Sequence, residues 1–429
     1  MKIRSSKSKL QGSVWIPGSK SHTIRGLVIA TLAEGESELL NPLYADDTIS
    51  CFHACEMLGA KIQKFEADAR WLIQGVGKNK IKPQQATVDM GNSGTSLRLL
   101  SGAVSLTKHK ISFDGDASLR TRLMKPLLDS LTDLGARTES NGGHCPLTIQ
   151  GPILGGKTTV SGLSSQFLSS LLICTPLAME DSEIFVNDLH EKPYVGITLD
   201  WLKEQGIRLH VDPSWEHFKV PGRQFYKPFK KIIAADFSTA CFPLCAAALT
   251  QSKITLLGLD FKDAQGDKEI FEHLKKMGAI ITHQEKASGN ETLISAEKGL
   301  NGIEIDLNAT PDALPILAVV GCFAKGKTIL KNVEQARVKE CDRIAAMTQE
   351  LRKMGAKIEE KPDGMILHES PLHAAKVHGH GDHRIVMALT IAGLMLEGET
   401  VVDTAEAFAV TYPHFMQDLQ KLGANLSSL

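Results

Sequence analysis

The densest stretch of reactive side chains is Arg337-Val338-Lys339-Glu340-Cys341-Asp342-Arg343, three cations and two carboxylates within seven residues. As an isolated helix face it is a salt-bridged surface. A carboxylate set among cations is also what proton transfer beside an anionic substrate needs. Asp312 opens the apolar run Ala313 to Phe323, where a carboxylate serves equally as a helix cap or as a reactive group. In Gly18-Ser19-Lys20-Ser21-His22-Thr23-Ile24-Arg25, Lys20 and Ser21 stand at a helix mouth, and Arg25 returns to the same face one turn later. Taken alone, that stretch is an N-cap with a solvated basic pair. Gly91-Asn92-Ser93-Gly94-Thr95-Ser96-Leu97-Arg98 has the small residues that let an anion approach the backbone, without P-loop spacing. Ser164-Ser165-Gln166 offers hydroxyls and an amide that suit a polyol or phosphate, although plain capping explains it as well.

His378-Gly379-His380-Gly381-Asp382-His383-Arg384 points elsewhere, because H-x-H-x-D-H is the spacing of metallo-β-lactamase-type zinc hydrolases. Those enzymes take further ligands from well downstream, and after His383 this chain has only His414. The alternative for Asp382-His383-Arg384 is a helix start with Arg384 aimed at an anion.

All of these clusters must be positioned, and a repeat does so. Small polar or charged groups at Ser21, Ser93, Ser165, Ser238, Asp312 and His383 precede charge-poor runs, with steps of 72, 72, 73, 74 and 71 residues by subtraction. One supersecondary unit used six times is predicted, each opening on a helix N-terminus able to meet an anion. A second ladder of amphipathic segments stops at Gly59, Gly135, Gly206, Gly278, Gly355 and Gly423. Short β-branched runs follow most stops, so each unit reads as strands, one buried helix and one flanking helix. The α/β chain is expected to form two globules of three units. Val211 to Ala235, with Pro213, Pro221 and Pro228, breaks the pattern between them. Strand-like Ser13-Val14-Trp15-Ile16 could pair with either half.

With 48 basic and 49 acidic residues among 429, the net charge of −1 gives no bulk electrostatic case for nucleic acid or an acidic membrane. The eight cysteines include no C-x-x-C pair and read as reduced, packed thiols. No signal-peptide core or membrane-length apolar run is evident, and a reducing cytoplasm is the expected compartment.

Gly-Ser-Lys-Ser at 18 to 21 with Arg25, Gly-Asn-Ser-Gly-Thr at 91 to 95, Ser-Ser-Gln at 164 to 166, the 337 to 343 motif and Asp-His-Arg at 382 to 384 together resemble the 5-enolpyruvylshikimate-3-phosphate (EPSP) synthase family over essentially the whole chain. The resemblance implies an inverse α/β barrel type of fold: residues 19–235 in one globule, 1–18 plus 236–429 in the other, a two-stranded hinge, and substrates bound in a cleft that closes. It implies transfer of the enolpyruvyl group of phosphoenolpyruvate to shikimate 3-phosphate, with release of phosphate. Neither metal nor organic cofactor is implied, and the partners are small-molecule substrates of a monomeric enzyme. By position, Lys20, Ser21, Arg25, Ser164, Ser165, Gln166, Asp312, Gln335 and Lys339 would hold shikimate 3-phosphate. Lys20, Gly94, Arg122, Gln166, Arg343 and Arg384 would meet phosphoenolpyruvate. Asp312 would act as base, with Glu340 and Lys20 as the other proton-transfer groups.

Four positions depart from common family patterns. Val410 replaces a lysine, a loss of about 1.5–3 kcal/mol or roughly 10- to 100-fold in phosphoenolpyruvate binding if uncompensated. Glu191 stands where some members place a serine, Gln335 where some place an asparagine, and Leu99 where proline is common; reduced glyphosate sensitivity is expected. The sister UDP-N-acetylglucosamine enolpyruvyl transferases usually carry a cysteine in the loop matching Asp114 to Arg122, and none is present here.

Overall fold

The glycine ladder becomes a ladder of helix ends. Asp46–Met57, Lys125–Asp133, Lys192–Glu204, Glu269–Met277, Arg343–Lys353 and Phe415–Lys421 each run out into a glycine at positive φ, for example 107° at Gly59 and 112° at Gly278. A residue with a Cβ would be strained in that conformation, which is why glycine ends each helix. The structure, a computed structural model, describes residues 1–85, 87–286 and 289–429. The charge-poor runs form the six buried helices Lys20–Leu32, Gly94–Val104, Ser165–Cys174, Phe237–Leu249, Leu314–Phe323 and His383–Gly393. Every residue of Phe237–Leu249 is buried, as a helix apolar on all sides requires.

The helix starts differ in detail from the expected positions. Ser93 and Ser164 cap their helices as hydroxyl acceptors, to Ser96 N and Gln166 N, each at 3.4 Å. The fourth and sixth caps are carboxylates one or two residues earlier than Ser238 and His383: Asp236 accepts from Thr239 N at 2.8 Å and Asp382 from Arg384 N at 2.8 Å. Asp312 caps nothing; it lies in the single turn Pro311–Ala313 ahead of the fifth buried helix.

Among the described residues, six four-stranded sheets share one strand order: a strand parallel to its neighbour, followed by two antiparallel pairings. In the sheet Thr87–Asp89, Ile111–Asp114, His144–Gln150 and Arg137–Asn141, one repeat supplies all four strands. Three sheets recruit a distant strand. Lys230–Ile232 lies parallel to Glu34–Leu40, and Gln11–Trp15 parallel to Lys253–Leu257. Ile3–Ser6 stands between Thr400–Val402 and Asn425–Ser428, antiparallel to both.

The chain divides into two compact units, 18–233 and 1–17 with 234–429. In the 18–233 unit three buried helices bring Leu27, Leu100 and Leu171 into the interior. In the other, Phe242, Leu317 and Leu389 belong to one apolar cluster with Ile3 and Val14 of the N-terminal strands. Each such side chain contributes about 1.5–3 kcal/mol on burial. No helix among the described residues is long and apolar enough to cross a membrane. All eight cysteines are free thiols, and burial pushes Cys145, Cys174 and Cys322 up to about 12, which keeps them unreactive.

Candidate active site

In the unit containing residues 234–429, one guanidinium gathers three carboxylates. Arg343 is buried, at the start of Arg343–Lys353. It donates from Nη1 to Asp312 Oδ1 at 2.8 Å, from Nη2 to Glu340 Oε2 at 2.6 Å, and from Nε to Asp382 Oδ2 at 2.7 Å. Asp312 is shared further: Arg384 Nη2 lies 3.1 Å from Oδ2, and Lys339 Nζ 3.8 Å from Oδ1. Burial would raise the Asp312 carboxyl, but Arg384, Lys339 and Arg343 overcome it and hold the group far below the usual carboxylate range. For Arg343, burial works against the charged form, and Asp382, Glu340 and Asp312 outweigh it, holding the guanidinium well above its ordinary value. Buried charges persist only when paired in this way. Gln335 is nearly fully buried, and its Nε2 donates to the Asn308 carbonyl at 3.1 Å.

The 18–233 unit presents neutral hydrogen-bonding groups and a few held cations. Lys20 Nζ is 3.0 Å from Asp47 Oδ2. Arg25, on the same helix, is buried, with four of its five N–H donors committed to the Ser21 carbonyl, Thr198 Oγ1, Ser169 Oγ and the Tyr194 carbonyl. Burial lowers the Arg25 guanidinium to about 10, and it remains a cation at neutral pH. At the start of Gly94–Val104, a Cβ on Gly94 would stand 2.8 Å from Arg122 Nη1 and 3.2 Å from Arg98 Nη1. Glycine therefore lets two guanidinium groups reach a helix N-terminus, an arrangement suited to an anion. Arg122 Nη2 donates to Asn92 Oδ1 at 2.5 Å, and Arg98 Nη1 donates to Gln166 Oε1 at 2.7 Å. Gln166 in turn donates from Nε2 to Thr95 Oγ1 at 3.2 Å. Ser165 donates its hydroxyl to the buried Glu191 carboxylate at 2.7 Å.

The histidines of the zinc-like spacing go to separate partners. His378 Nδ1 is 2.6 Å from Asp403 Oδ1, His380 Nε2 is 3.2 Å from Glu350 Oε1, and Asp382 is taken by Arg343. Among the described residues no group of three or more His, Cys, Asp or Glu side chains is placed to hold a metal ion. Val410 ends the short turn Ala405–Val410 and brings no charge.

Sequence reasoning left out Asp47, Arg98, Thr95 and Asp382 as members of these networks. Arg98 and Asp382 lie inside motifs already singled out, so their types were visible and their partners were not. Asp47 sits in the helix-start pair Asp46-Asp47, indistinguishable from a dipole-matching carboxylate.

Fold and side chains thus describe an α/β enzyme suited to anionic substrates. A family model for EPSP synthase (3-phosphoshikimate 1-carboxyvinyltransferase) matches residues 5–419. The chain is similar to the 3-phosphoshikimate 1-carboxyvinyltransferase of Acetivibrio thermocellus, 46% identical over 430 residues with 100% of this chain and 99% of the relative covered. It is also similar to that of Methanocaldococcus jannaschii, 42% identical over 425 residues with 97% of each covered. A solved EPSP synthase from Acinetobacter baumannii has a TM-score of 0.81 and 26% identity, with 100% of both chains covered. The chain belongs to the EPSP synthase family.

Proposed function

We propose a division of labour among these side chains for the reaction of the family, in which the carboxyvinyl group of phosphoenolpyruvate passes to the 5-hydroxyl of shikimate 3-phosphate and phosphate is released. The hydroxyl oxygen attacks the substituted vinyl carbon while the methylene carbon takes a proton. Loss of phosphate and of one proton from the methyl group so formed turns the tetrahedral intermediate back into a vinyl ether. Asp312 is the base toward the hydroxyl, and Glu340 and Lys20 are the groups that move protons at the methylene and the departing phosphate. Ser21, Arg25, Ser164, Ser165, Gln166, Gln335 and Lys339 hold shikimate 3-phosphate with Lys20 and Asp312. Gly94, Arg122, Arg343 and Arg384 meet phosphoenolpyruvate, together with Lys20 and Gln166. The cations bring together two anions that would otherwise repel.

The observation that supports this reading most is the Asp312 carboxylate set against Arg343, Arg384 and Lys339. Held so far down, Asp312 is ionised but weakly basic. An anionic substrate that engages Arg384 and Arg343 shares their charge, and the Asp312 pKa rises toward the range a general base needs. Asp312→Asn removes that base while keeping the shape of the side chain. Its kcat is expected to fall about 10²- to 10⁴-fold in a steady-state phosphate-release assay; an unchanged kcat would remove Asp312 from the chemistry. A monomer in the cytoplasm, acting without metal or organic cofactor, is part of the same proposal.

A further inference from the structure

Two turns beyond Arg343 on the helix Arg343–Lys353 lies Glu350, whose side chain has 0% of its surface exposed. A carboxylate so deep must be fully hydrogen-bonded. Its partners are local Lys353, whose Nζ is 2.7 Å from each oxygen, and a distant turn: the backbone N–H of His378 at 2.9 Å and Nε2 of His380 at 3.2 Å. A carboxylate can only accept, so His380 donates from Nε2. The other side of that turn is also fastened. Asp403 Oδ1 accepts from His378 Nδ1 at 2.6 Å and Gly379 N at 3.0 Å, and Thr404 Oγ1 accepts from Gly381 N at 3.1 Å. There is no slack, because a Cβ on Gly379 would meet Val386 Cγ2 at 2.4 Å and the Asp403 carbonyl at 2.6 Å. The turn leads directly into Asp382, which takes Arg343 Nε, and Arg384, which reaches Asp312.

We infer that Glu350 is a positioning residue for the phosphoenolpyruvate side of the chemistry, fixing the 378–381 turn to the helix that carries Arg343 and so setting where Asp382 and Arg384 stand. One helix then supplies both reference points: Arg343 holds Asp382 directly, and Glu350 holds the turn just before it. The inference rests on the assignment of Arg384 and Arg343 to phosphoenolpyruvate.

Steady-state kinetics of the full chain, varying each substrate in turn, test it with Glu350→Ala, Glu350→Gln, His380→Asn and Arg384→Ala. Asparagine is chosen at His380 because it tolerates the left-handed backbone, φ 54°, that His380 occupies. Displacing Arg384 by ~1 Å is expected to raise KM for phosphoenolpyruvate about tenfold or more in Glu350→Ala and His380→Asn. KM for shikimate 3-phosphate should stay within roughly twofold. Glu350→Gln should recover most of the loss, since its amide oxygen can still accept from His378 N and its amide N–H can donate to a neutral His380 ring. Equal changes in both KM values, a fall in kcat alone, or unchanged constants would overturn the inference. If Glu350→Ala lacks a cooperative melt, His380→Asn decides by the same criteria. Should Arg384→Ala leave KM for phosphoenolpyruvate unchanged, the assignment itself falls and takes the inference with it. Should Arg384→Ala raise that KM while Glu350→Ala and His380→Asn do not, the inference alone falls.

Discussion

Arg343 shows how much a single side chain decides here. Its guanidinium offsets Asp312, Glu340 and Asp382 at once, so its removal takes a cation from all three, the fully buried Asp382 included. Arg343→Ala is expected to cost about 3–5 kcal/mol, measured by denaturant unfolding. A loss below about 1 kcal/mol would mean that the cluster is as weakly coupled as an exposed ion pair. From the sequence, the 337 to 343 motif could be placed on a helix start and its charges counted. Burial could not be read from it, because spacing says which residues share a face and not what covers that face. Asp312 was ambiguous for the same reason. As a cap it would have bonded its own helix, whereas its carboxylate pairs with Arg343 and Arg384, 31 and 72 positions away, a distance no local pattern encodes. Glu191 is a different case. Its departure from a common serine was visible, but only the fold shows that it accepts the Ser165 hydroxyl, which leaves Ser165 its lone pairs for another partner.

At the level of elements, the helix starts do work that their amino-acid composition foreshadows. The start of Gly94–Val104 is open because Gly94 has no side chain, and the guanidinium groups of Arg122 and Arg98 occupy the approach. Gly94→Ala is expected to leave the helix intact, since alanine favours helix and the atoms it meets are ends of flexible side chains. The same methyl group displaces both guanidinium groups from the N-terminus, so KM for phosphoenolpyruvate should rise by about tenfold or more with Tm nearly unchanged. A variant with unaltered KM would show that this helix start does not take part in binding. The six buried helices and six glycine stops were legible because both are periodic signals with local causes. Four starts shifted by one or two residues, the caps being Ser19, Ser164, Asp236 and Asp382 in place of Ser21, Ser165, Ser238 and His383, and at two of them a carboxylate takes the cap. The His378 to His383 string is ambiguous as a sequence element. A short string fits both a metal site and a tight turn, and in the fold His378 pairs with Asp403 and His380 with Glu350, partners that the spacing does not encode.

On the scale of the whole molecule, the repeat is closed by strands far apart in sequence. Ile3–Ser6 pairs on both sides within the last sheet, and Gln11–Trp15 completes another in the same unit. The strand near Val14 was recognisable by its pattern, but its partner was not, because the choice between halves depends on pairing over more than 200 residues. Deleting residues 1–6 would leave Asn425–Ser428 without its neighbour and expose an edge. A lower Tm is expected for that truncation, accompanied by a greater tendency to aggregate in light scattering; an unchanged Tm would mean that the first strand is dispensable to the sheet.

The activity itself is most directly tested by mixing the full chain with shikimate 3-phosphate and phosphoenolpyruvate and following inorganic phosphate. Release that requires both substrates, and continues at the same rate after treatment with EDTA, is the expected result. No release with both substrates present would contradict the assignment.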